Sequence, residues 1–467
     1  MLRTQSQQVR TSMNGRVIVP GDAEYDAART VFYGGIDRRP AAIVRAADVD
    51  DVARVVTLAR ETVLPLAVRS GGHSLAGHSL VDDGIVLDLS DLRALNLDPV
   101  GRVAWVQPGL TAGEYTLAAA EHGLATGFGD TGSVGIGGIT LGGGVGFLSR
   151  KHGLTIDSLL AAEMVTADGQ LLHVDAERHP DLFWAIRGGG GNFGVATRFL
   201  FQLHQVDKVV GGMLILPATP DVITSFAAEA DAAPDELSTI ANIMAAPPMP
   251  FLPPEVHGKL ILMGLMVYAG DSSLRSEQAV EAGEQAIAPF RALAEPLVDM
   301  VRPMHYPEIF MPEEEGYHPT AAARTLFVDK IDHGDAGTIL EYLQASDASM
   351  RVAQVRVLGG AVSRVRPEAT AYAHRDAAIM LNVAAFYEGA DDRSRREAWV
   401  ADFAAALDQG NAGAYVNFLG DEGPERVRAA YPGETWDRLA AIKARYDPTN
   451  LFRVNQNIPP AAEVLHT

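Results

Sequence analysis

Glycine is concentrated in three stretches of the first half of the chain, residues 68–79, 129–146 and 181–194, and each lies between apolar runs. Glycine has no Cβ, so a backbone rich in it turns tightly and approaches a ligand more closely than other sequences allow. The three stretches therefore predict a fold in which loops of backbone, as well as side chains, line a binding site.

The first stretch has the sequence VRSGGHSLAGHS and follows a segment that predicts a short strand. Successive backbone N–H groups in such a loop form a concavity that binds anions, a diphosphate among them. Arg69 adds positive charge, and Ser70 and Ser74 add hydrogen-bond donors. The alternative is an ordinary glycine turn that carries two surface histidines, His73 and His78.

The second stretch has the sequence GDTGSVGIGGITLGGGVG, which lacks the G-x-G-x-x-G pattern of nicotinamide-dinucleotide sites. Apolar residues recur along it at near-regular spacing, unlike in flexible linkers. They are Val134, Ile136, Ile139, Leu141 and Val145. The pattern favours a wall of backbone along an extended ligand over a mobile loop. In the third stretch, Phe183 and Trp184 precede a glycine run, which predicts aromatic packing at a helix end.

Composition excludes several classes of function. The 467 residues include no cysteine, so disulfides, thiolate metal sites and a catalytic thiol are absent, and the histidine spacing predicts no metal site. The net charge of −21 argues against nucleic acid or an anionic membrane as the main partner. The N-terminal residues show no apolar run of signal-peptide length, and we expect a soluble, cytoplasmic protein. Arginine exceeds lysine while alanine and glycine are abundant, which indicates a GC-rich bacterial genome.

The spacing of apolar residues predicts two α/β regions of different character. Short strands at 42–45, 66–69, 85–89 and 103–107 alternate with helices at 49–61 and 113–122, with Asp48 and Thr111 as the expected N-caps. Beyond residue 211, longer strands are predicted at 213–216, 259–268, 353–358 and 378–386, with an amphipathic helix at 393–408. The tail from Tyr415 is expected to return to the first region.

The three glycine-rich stretches resemble the FAD-linked oxidases of the vanillyl-alcohol oxidase/p-cresol methylhydroxylase superfamily, in the berberine-bridge-enzyme-like branch. The same resemblance extends to Tyr415-Val-Asn-Phe418 and to the segment 446–457. The resemblance implies an α+β fold: a PCMH-type FAD-binding domain of two α/β subdomains, and a substrate domain with an antiparallel sheet flanked by helices. The implied boundaries are 17–207 for the FAD-binding domain, 208–414 for the substrate-binding domain and 415–467 for the returning segment.

The resemblance also implies how the cofactor is held. His73 matches the histidine that bonds covalently to the flavin 8-methyl carbon, and Thr131 stands where many relatives carry a second, cysteine attachment. FAD is therefore expected to be attached through His73 only, as in relatives such as 6-hydroxy-D-nicotine oxidase and some bacterial oxidases of polyketide biosynthesis. The other implied FAD contacts are Arg69, Ser70, Gly71, Gly72, Ser74, Gly77, His78, Thr131, Gly132, Gly135, Gly137, Gly138, Gly142, Gly143, Gly144, Val195, Asn417 and Asn455.

The residue that takes the substrate's proton is less constrained. Sugar-oxidising relatives commonly carry a tyrosine where this chain has Phe418, so a carbohydrate oxidase is disfavoured. The candidate catalytic residues are Tyr415, Gln354 and Arg356, the last two on one face of a predicted strand. Arg356 could hold a carboxylate or enolate. The alternative is a sheet face with solvated polar ends.

The expected reaction is oxidation of a small organic alcohol, amine or phenolic/polyketide-like molecule by hydride transfer to flavin N5, with O2 reduced to H2O2. Leu154 stands at a position that gates oxygen access in plant relatives, where a bulky residue can favour dehydrogenase behaviour. Bacterial relatives with leucine there use oxygen, so oxidase behaviour is favoured. A redox-neutral cyclase or a scaffold that carries flavin only structurally remains as the alternative.

Overall fold

Four short strands form the first sheet, in the order β1-β2-β4-β3. With the two helices between them, the elements are β1 (Arg16–Ile18), α1 (Tyr25–Ala28), β2 (Ala42–Arg45), α2 (Val49–Thr62), β3 (Leu66–Arg69) and β4 (Ile85–Asp88). The structure is a computed structural model that describes residues 13–270, 276–312, 316–411 and 413–462. Strands β2, β4 and β3 are parallel. Asp48 caps α2 by accepting a hydrogen bond from the Asp51 backbone N–H, as the sequence predicts.

The second sheet has five antiparallel strands in the order β5-β6-β10-β8-β9. This part of the chain contains β5 (Leu95–Asp98), β6 (Val103–Val106), α3 (Ala112–Ala120), β7 (Leu124–Ala125), α4 (Ile136–Gly142), α5 (Ser149–His152), β8 (Leu159–Val165), β9 (Leu171–Asp175), α6 (Pro180–Ala185) and β10 (Val195–Gln202). Thr111 and Glu114 form a capping box at the start of α3, which confirms the predicted N-cap. Phe183 and Trp184 are buried in the core beneath this sheet, as expected of packing residues.

Eight antiparallel strands form the largest sheet, which we call the cap sheet. Its order is β15-β12-β14-β13-β18-β19-β17, with β16 also on β12. The elements from here are β11 (His204–Gln205, paired with β7), β12 (Lys208–Pro217), α7 (Pro220–Ala232), β13 (Leu237–Ala245), β14 (Leu260–Tyr268), α8 (Ser276–Arg291), β15 (Val298–Asp299), β16 (Arg302–His305), β17 (Ala321–Val328), α9 (His333–Ala345), β18 (Met350–Val357), α10 (Ala361–Arg364), β19 (Ile379–Phe386) and α11 (Arg393–Ala406).

The two faces of the cap sheet meet different surroundings. Residues of α7, α8, α9 and α11 pack with the strands in one large apolar core. The opposite face of β17, β18 and β19 carries Ala323, Gln354 and Asn382, which line a cavity shared with the glycine stretches. The sequence therefore predicted the fold class correctly: mixed α+β, with an antiparallel sheet flanked by helices.

The tail contains α12 (Pro424–Ala429) and α13 (Glu434–Tyr446), and short 3-10 turns occur at Thr155–Asp157, Gly190–Asn192, Pro254–Val256, Tyr306–Ile309, Pro367–Ala369, Ala390–Asp392 and Val416–Phe418. The Lys443 ammonium at the end of α13 donates hydrogen bonds to the Asn192 carbonyl (2.6 Å), the Asp447 carboxylate (2.7 Å) and the Phe452 carbonyl (2.8 Å). This buried cluster ties the tail to the third glycine stretch. None of the helices in the described ranges has the length and apolarity that a membrane crossing requires.

Candidate active site

A cavity of about 570 Å³ lies where the glycine stretches, the cap sheet and the tail converge. Glycine backbone from 70–75, 129–139 and 190–196 forms much of its wall. A Cβ at Gly71 would overlap the backbone of Gly135, so the first two stretches pack directly on one another only because both residues lack side chains. A Cβ built on Gly138 or Gly191 would meet open space beyond its own segment of chain, so the wall beside these residues is open. The cavity is a groove bounded largely by glycine-rich backbone.

His73 lies in this wall, in the loop after β3. Its ring stacks on Phe32, with ring centroids 4.1 Å apart and planes tilted by 18°. Its Nε2 is 3.0 Å from the Ser133 hydroxyl of the second stretch, so Nδ1 is the ring nitrogen that this hydrogen bond leaves unoccupied. Burial lowers the pKa of His73 to about 4, so the imidazole is neutral at neutral pH.

Hydrogen bonds from three side chains hold the loop that carries His73. The Arg69 guanidinium bonds the Asp88 carboxylate and the Ala28 carbonyl, and it lies outside the cavity lining. The Ser70 hydroxyl donates to the Pro108 carbonyl at 2.6 Å. Arg38, which the sequence did not single out, donates to the backbone carbonyls of residues 76, 77 and 80. These contacts fix the backbone around the histidine.

Tyr415 meets the end of the second stretch. Its buried hydroxyl oxygen accepts hydrogen bonds from the backbone N–H groups of Gly144 (2.9 Å) and Val145 (3.2 Å) and from the Asn417 amide (3.0 Å). The Asn417 amide also donates to the Ile139 carbonyl, at 3.1 Å. Burial raises the pKa of Tyr415, and the three donors oppose that rise. The tyrosine thus fixes the glycine turn against the tail.

A row of polar side chains crosses the face of the cap sheet that lines the cavity. The Asn242 amide oxygen accepts from Gln354 at 2.8 Å, and the Gln354 oxygen accepts from Arg356 at 2.9 and 2.7 Å. Arg356 in turn donates to the Asp130 carboxylate at 2.6 Å and lies 5.1 Å over the Phe418 ring. The Nη1 atom of Arg356 is buried and has no hydrogen-bond partner among the described residues.

The structure brings most of the predicted site residues into this one cavity. The lining contains Ser70, Gly71, Gly72, His73, Ser74, His78, Thr131, Gly135, Gly137, Gly138, Val195, Gln354, Arg356, Tyr415, Asn417 and Asn455. The predicted contacts outside the lining are Arg69, Gly77, Gly132, Gly142, Gly143 and Gly144. Sequence reasoning missed Asp130, Asn242 and Asn382. For Asp130 a signal existed, because it is the one ionisable residue in the second stretch.

Comparison with known proteins agrees with this geometry. A family model described as an FAD binding domain matches residues 40–175, and one described as berberine and berberine-like matches residues 414–459. The uncharacterized FAD-linked oxidoreductase YvdP of Bacillus subtilis is 32% identical, covering 97% of this chain and 99% of the relative. The (R)-6-hydroxynicotine oxidase of Paenarthrobacter nicotinovorans is 30% identical, covering 96% and 97%. The crystal structure of 6-hydroxy-D-nicotine oxidase from Arthrobacter nicotinovorans superposes with a TM-score of 0.83 at 27% identity, covering 96% of this chain and 98% of that one.

Proposed function

Because the chain belongs to the berberine-bridge-enzyme-like family of FAD-linked oxidoreductases, we propose that it oxidises a small organic alcohol, amine or phenolic/polyketide-like molecule with a covalently held flavin. Bound FAD supplies a two-electron acceptor that takes a hydride from a substrate carbon, and O2 reoxidises it with release of H2O2. The observation that carries the proposal is the position of His73, a neutral imidazole in the wall of a groove that glycine backbone bounds.

The residues present fit FAD. The groove is extended, and open space lies beside Gly138 and Gly191, where a flat or phosphorylated ligand can approach backbone. The cavity-lining Asn455 has an amide oxygen without a hydrogen-bond partner among the described residues, which a ligand N–H or hydroxyl would satisfy. Backbone of residues 70–74 and 135–138 would hold the diphosphate and ribityl chain, and Val195 would contact the adenine side.

We propose attachment through His73 alone. A nucleophilic imidazole nitrogen has to be unprotonated, and burial gives His73 that state. The hydrogen bond between Nε2 and the Ser133 hydroxyl orients the ring, and Nδ1 is the proposed nitrogen for the bond to the flavin 8-methyl carbon. Thr131 also lines the cavity, but its hydroxyl does not replace a cysteine thiolate as a second attachment. His78 lines the cavity from the same loop as His73 and is proposed only as a contact.

Arg356 and Gln354 are proposed to bind the substrate. Arg356 is 4% exposed at its side chain, and its unpaired Nη1 offers a charged donor to a carbonyl, phenol or enolate oxygen. Gln354 holds the guanidinium at two of its nitrogens and is itself held by Asn242. Tyr415 has an oxygen that already accepts three hydrogen bonds, and its proposed role is to place the glycine turn and Asn417 along the flavin.

We propose that residues 17–207 and the returning segment 415–467 form the FAD-binding unit, and residues 208–414 the substrate-binding unit. Lys443 supports the first grouping, because it joins the tail to the third glycine stretch. Oxygen is the proposed electron acceptor. Leu154 is buried in one apolar cluster with Val145 and Tyr415, at the place where oxygen access would be controlled. The cytoplasm is the proposed location.

The aromatic residues of the cavity wall favour an aromatic or polyketide-like substrate over a carbohydrate. A xylooligosaccharide oxidase is among the relatives, at 29% identity over 95% of this chain. In this chain, however, Phe418 lies under Arg356 and supplies no proton acceptor. The redox-neutral cyclase stays as the second candidate because no ionisable phenol stands at Phe418.

The testing experiment is an absorption spectrum of the purified protein before and after acid precipitation, followed by anaerobic addition of aryl alcohols, cyclic amines and polyketide alcohols. We expect a yellow pellet with a flavin peptide containing His73, and bleaching of the flavin by one of these classes with H2O2 formed on admission of air. A protein that holds no FAD after reconstitution would overturn the proposal. Turnover of a substrate without bleaching would establish the redox-neutral alternative.

A further inference from the structure

The cavity contains one carboxylate and one guanidinium among its described lining residues, Asp130 and Arg356. They form an ion pair at 2.6 Å although they lie 226 positions apart in the chain. The Arg356 side chain is 4% exposed and that of Asp130 is 22% exposed, so the aspartate is the partner that faces the open space. Removing an ion pair from water costs free energy, so its burial in a cavity wall is weak evidence for a role in stability alone.

The two oxygens of Asp130 have different partners. Oδ2 accepts the hydrogen bond from Arg356, and no described residue donates to Oδ1. Oδ1 is therefore a charged acceptor without an assigned partner. On the other side of the pair, the unpaired Nη1 of Arg356 is a charged donor in the same position. The pair thus presents one acceptor and one donor to whatever occupies the cavity.

Four other polar groups near the ion pair are poorly suited to accept a proton. Burial raises the pKa of Tyr33 to about 12, with a further contribution from the negative charge of Asp130. Burial, with the same charge, also raises the pKa of the nearby Tyr306. The oxygen of Tyr415 already accepts three hydrogen bonds, and the Gln354 amide is not a base.

We propose that Asp130 is the catalytic proton acceptor of this enzyme and that Arg356 holds it in place. The inference rests on the proposed oxidase function and deepens it. As the substrate's C–H bond breaks and its hydride passes to the bound flavin, the neighbouring O–H or N–H bond also breaks. Its proton passes to Oδ1 of Asp130, and its electron pair becomes the second bond of the carbonyl or imine product. Asp130 returns the proton to solvent before the next turnover.

The same pair narrows the substrate class. The reacting carbon carries a hydroxyl or amine that can donate to Asp130, and an oxygen or nitrogen close to it accepts from Arg356 Nη1. The surrounding wall contains Phe32, Tyr33, Tyr317, Phe386 and Phe418, which fit a flat unsaturated skeleton. An alcohol or amine next to a ketone, phenol or ring nitrogen has this arrangement.

The test uses the FAD-loaded protein and 4-nitrophenol, whose neutral and ionised forms absorb differently. With Asp130 facing the ligand, the wild-type protein should bind the neutral phenol, since the carboxylate accepts its O–H and repels a phenolate. In Asp130→Asn the Arg356 charge is no longer offset, so the pKa of bound nitrophenol should fall by about one unit or more. Asp130→Glu should restore the wild-type ionisation, and Asp376→Asn, at an exposed site outside the lining, should not differ from wild type.

Equal ionisation of nitrophenol in the wild type and Asp130→Asn would overturn the assignment, and so would a failure of nitrophenol to bind to either. Circular dichroism of each variant separates these results from loss of folding. The outcome is also separable from the proposed function. Suppose that the wild-type protein carries His73-linked FAD and is bleached by a substrate, but that nitrophenol ionises equally in the wild type and Asp130→Asn. The proposed function then stands, and only the role of Asp130 is overturned. A protein without flavin fails at the earlier step.

Discussion

The Ser133 hydroxyl lies 3.0 Å from Nε2 of His73, so a residue of the second glycine stretch holds the ring of the first. Under the proposed attachment, this contact leaves Nδ1 as the ring nitrogen for the bond to the flavin. Attachment would then depend on the packing of two loops, and it can be measured independently of any substrate.

Replacing His73 with alanine should abolish covalent attachment while leaving the groove intact. FAD should then be released into the supernatant on acid precipitation, whereas the wild type keeps it in the pellet. His78→Ala is the matched control, since it removes the other cavity-lining histidine of the same loop. Flavin retained in the His73→Ala pellet would show that the anchor is another residue.

Ser133→Ala should slow the proposed attachment without preventing FAD binding, because the imidazole ring loses the hydrogen bond that holds its Nε2. We expect a larger acid-extractable share of FAD shortly after reconstitution, declining over hours. Ser363→Ala removes an exposed hydroxyl outside the cavity lining and provides the comparison. Identical time courses for the two variants would remove Ser133 from the attachment step.

Arg356→Gln should weaken substrate binding more than folding. The change removes a charged donor to the substrate and leaves the Asp130 carboxylate without its partner. We expect kcat/KM to fall by about 100-fold, which corresponds to roughly 2.7 kcal/mol, a typical loss for a buried charged hydrogen bond. Steady-state kinetics on the substrate found by flavin bleaching measure it. An unchanged KM would contradict the binding role proposed here.

The Lys443–Asp447 pair should be a major determinant of stability. Both side chains are fully buried, and the ammonium has three acceptors. Lys443→Met leaves a buried carboxylate without its cation, so the free energy of unfolding should fall by about 3–5 kcal/mol. Urea denaturation measures the change. Arg393→Ala breaks an exposed ion pair with Glu397 and should change stability by no more than about 1 kcal/mol.

Acid should destabilise the fold from near pH 6.5 downward. His152 and His204 stack with ring centroids 4.0 Å apart, and burial lowers their pKa values to about 3 and about 4. The unfolded chain protonates near the ordinary histidine pKa of about 6.5, so between there and pH 4 it binds more protons than the folded state. Stability is therefore present above about pH 6.5 and is lost as the pH falls.

The slope in that range is at most about 1.4 kcal/mol per pH unit for each such histidine. Urea midpoints at several pH values between 4.5 and 7.5 measure it, and the His204→Gln variant should show a shallower dependence than the wild type.

Local sequence pattern was sufficient for elements whose cause is local. Asp48 and Thr111 cap their helices because a short polar side chain before an apolar period satisfies free N–H groups wherever it occurs. The alternation of Gln354 and Arg356 placed both on one strand face, and both line the cavity. The glycine stretches predicted a backbone-lined groove for a similar reason, since only glycine allows such close approach.

The remainder depended on contacts between distant segments. Nothing in the neighbourhood of Asp130 indicates that a strand more than two hundred residues later brings a guanidinium to it. The sequence also does not indicate which of its glycines face the groove. Gly144, for example, directs its N–H to Tyr415 and lies outside the lining. Such pairings follow from the packing of the sheets and loops, which periodicity within one segment does not encode.

The backbone contact between Gly71 and Gly135 limits how the substrate range of the protein can be engineered. That part of the site tolerates no larger residue on either side, so a mutational library directed at it would return mostly unfolded or flavin-free clones. The cap strands impose no such limit. Ala323, Asn382 and Phe386 line the cavity from regular strands of the cap sheet. Exchanging them does not alter the contact between Gly71 and Gly135. A search for variants with new substrates should therefore randomise the cap-strand residues and keep Gly71 and Gly135 unchanged.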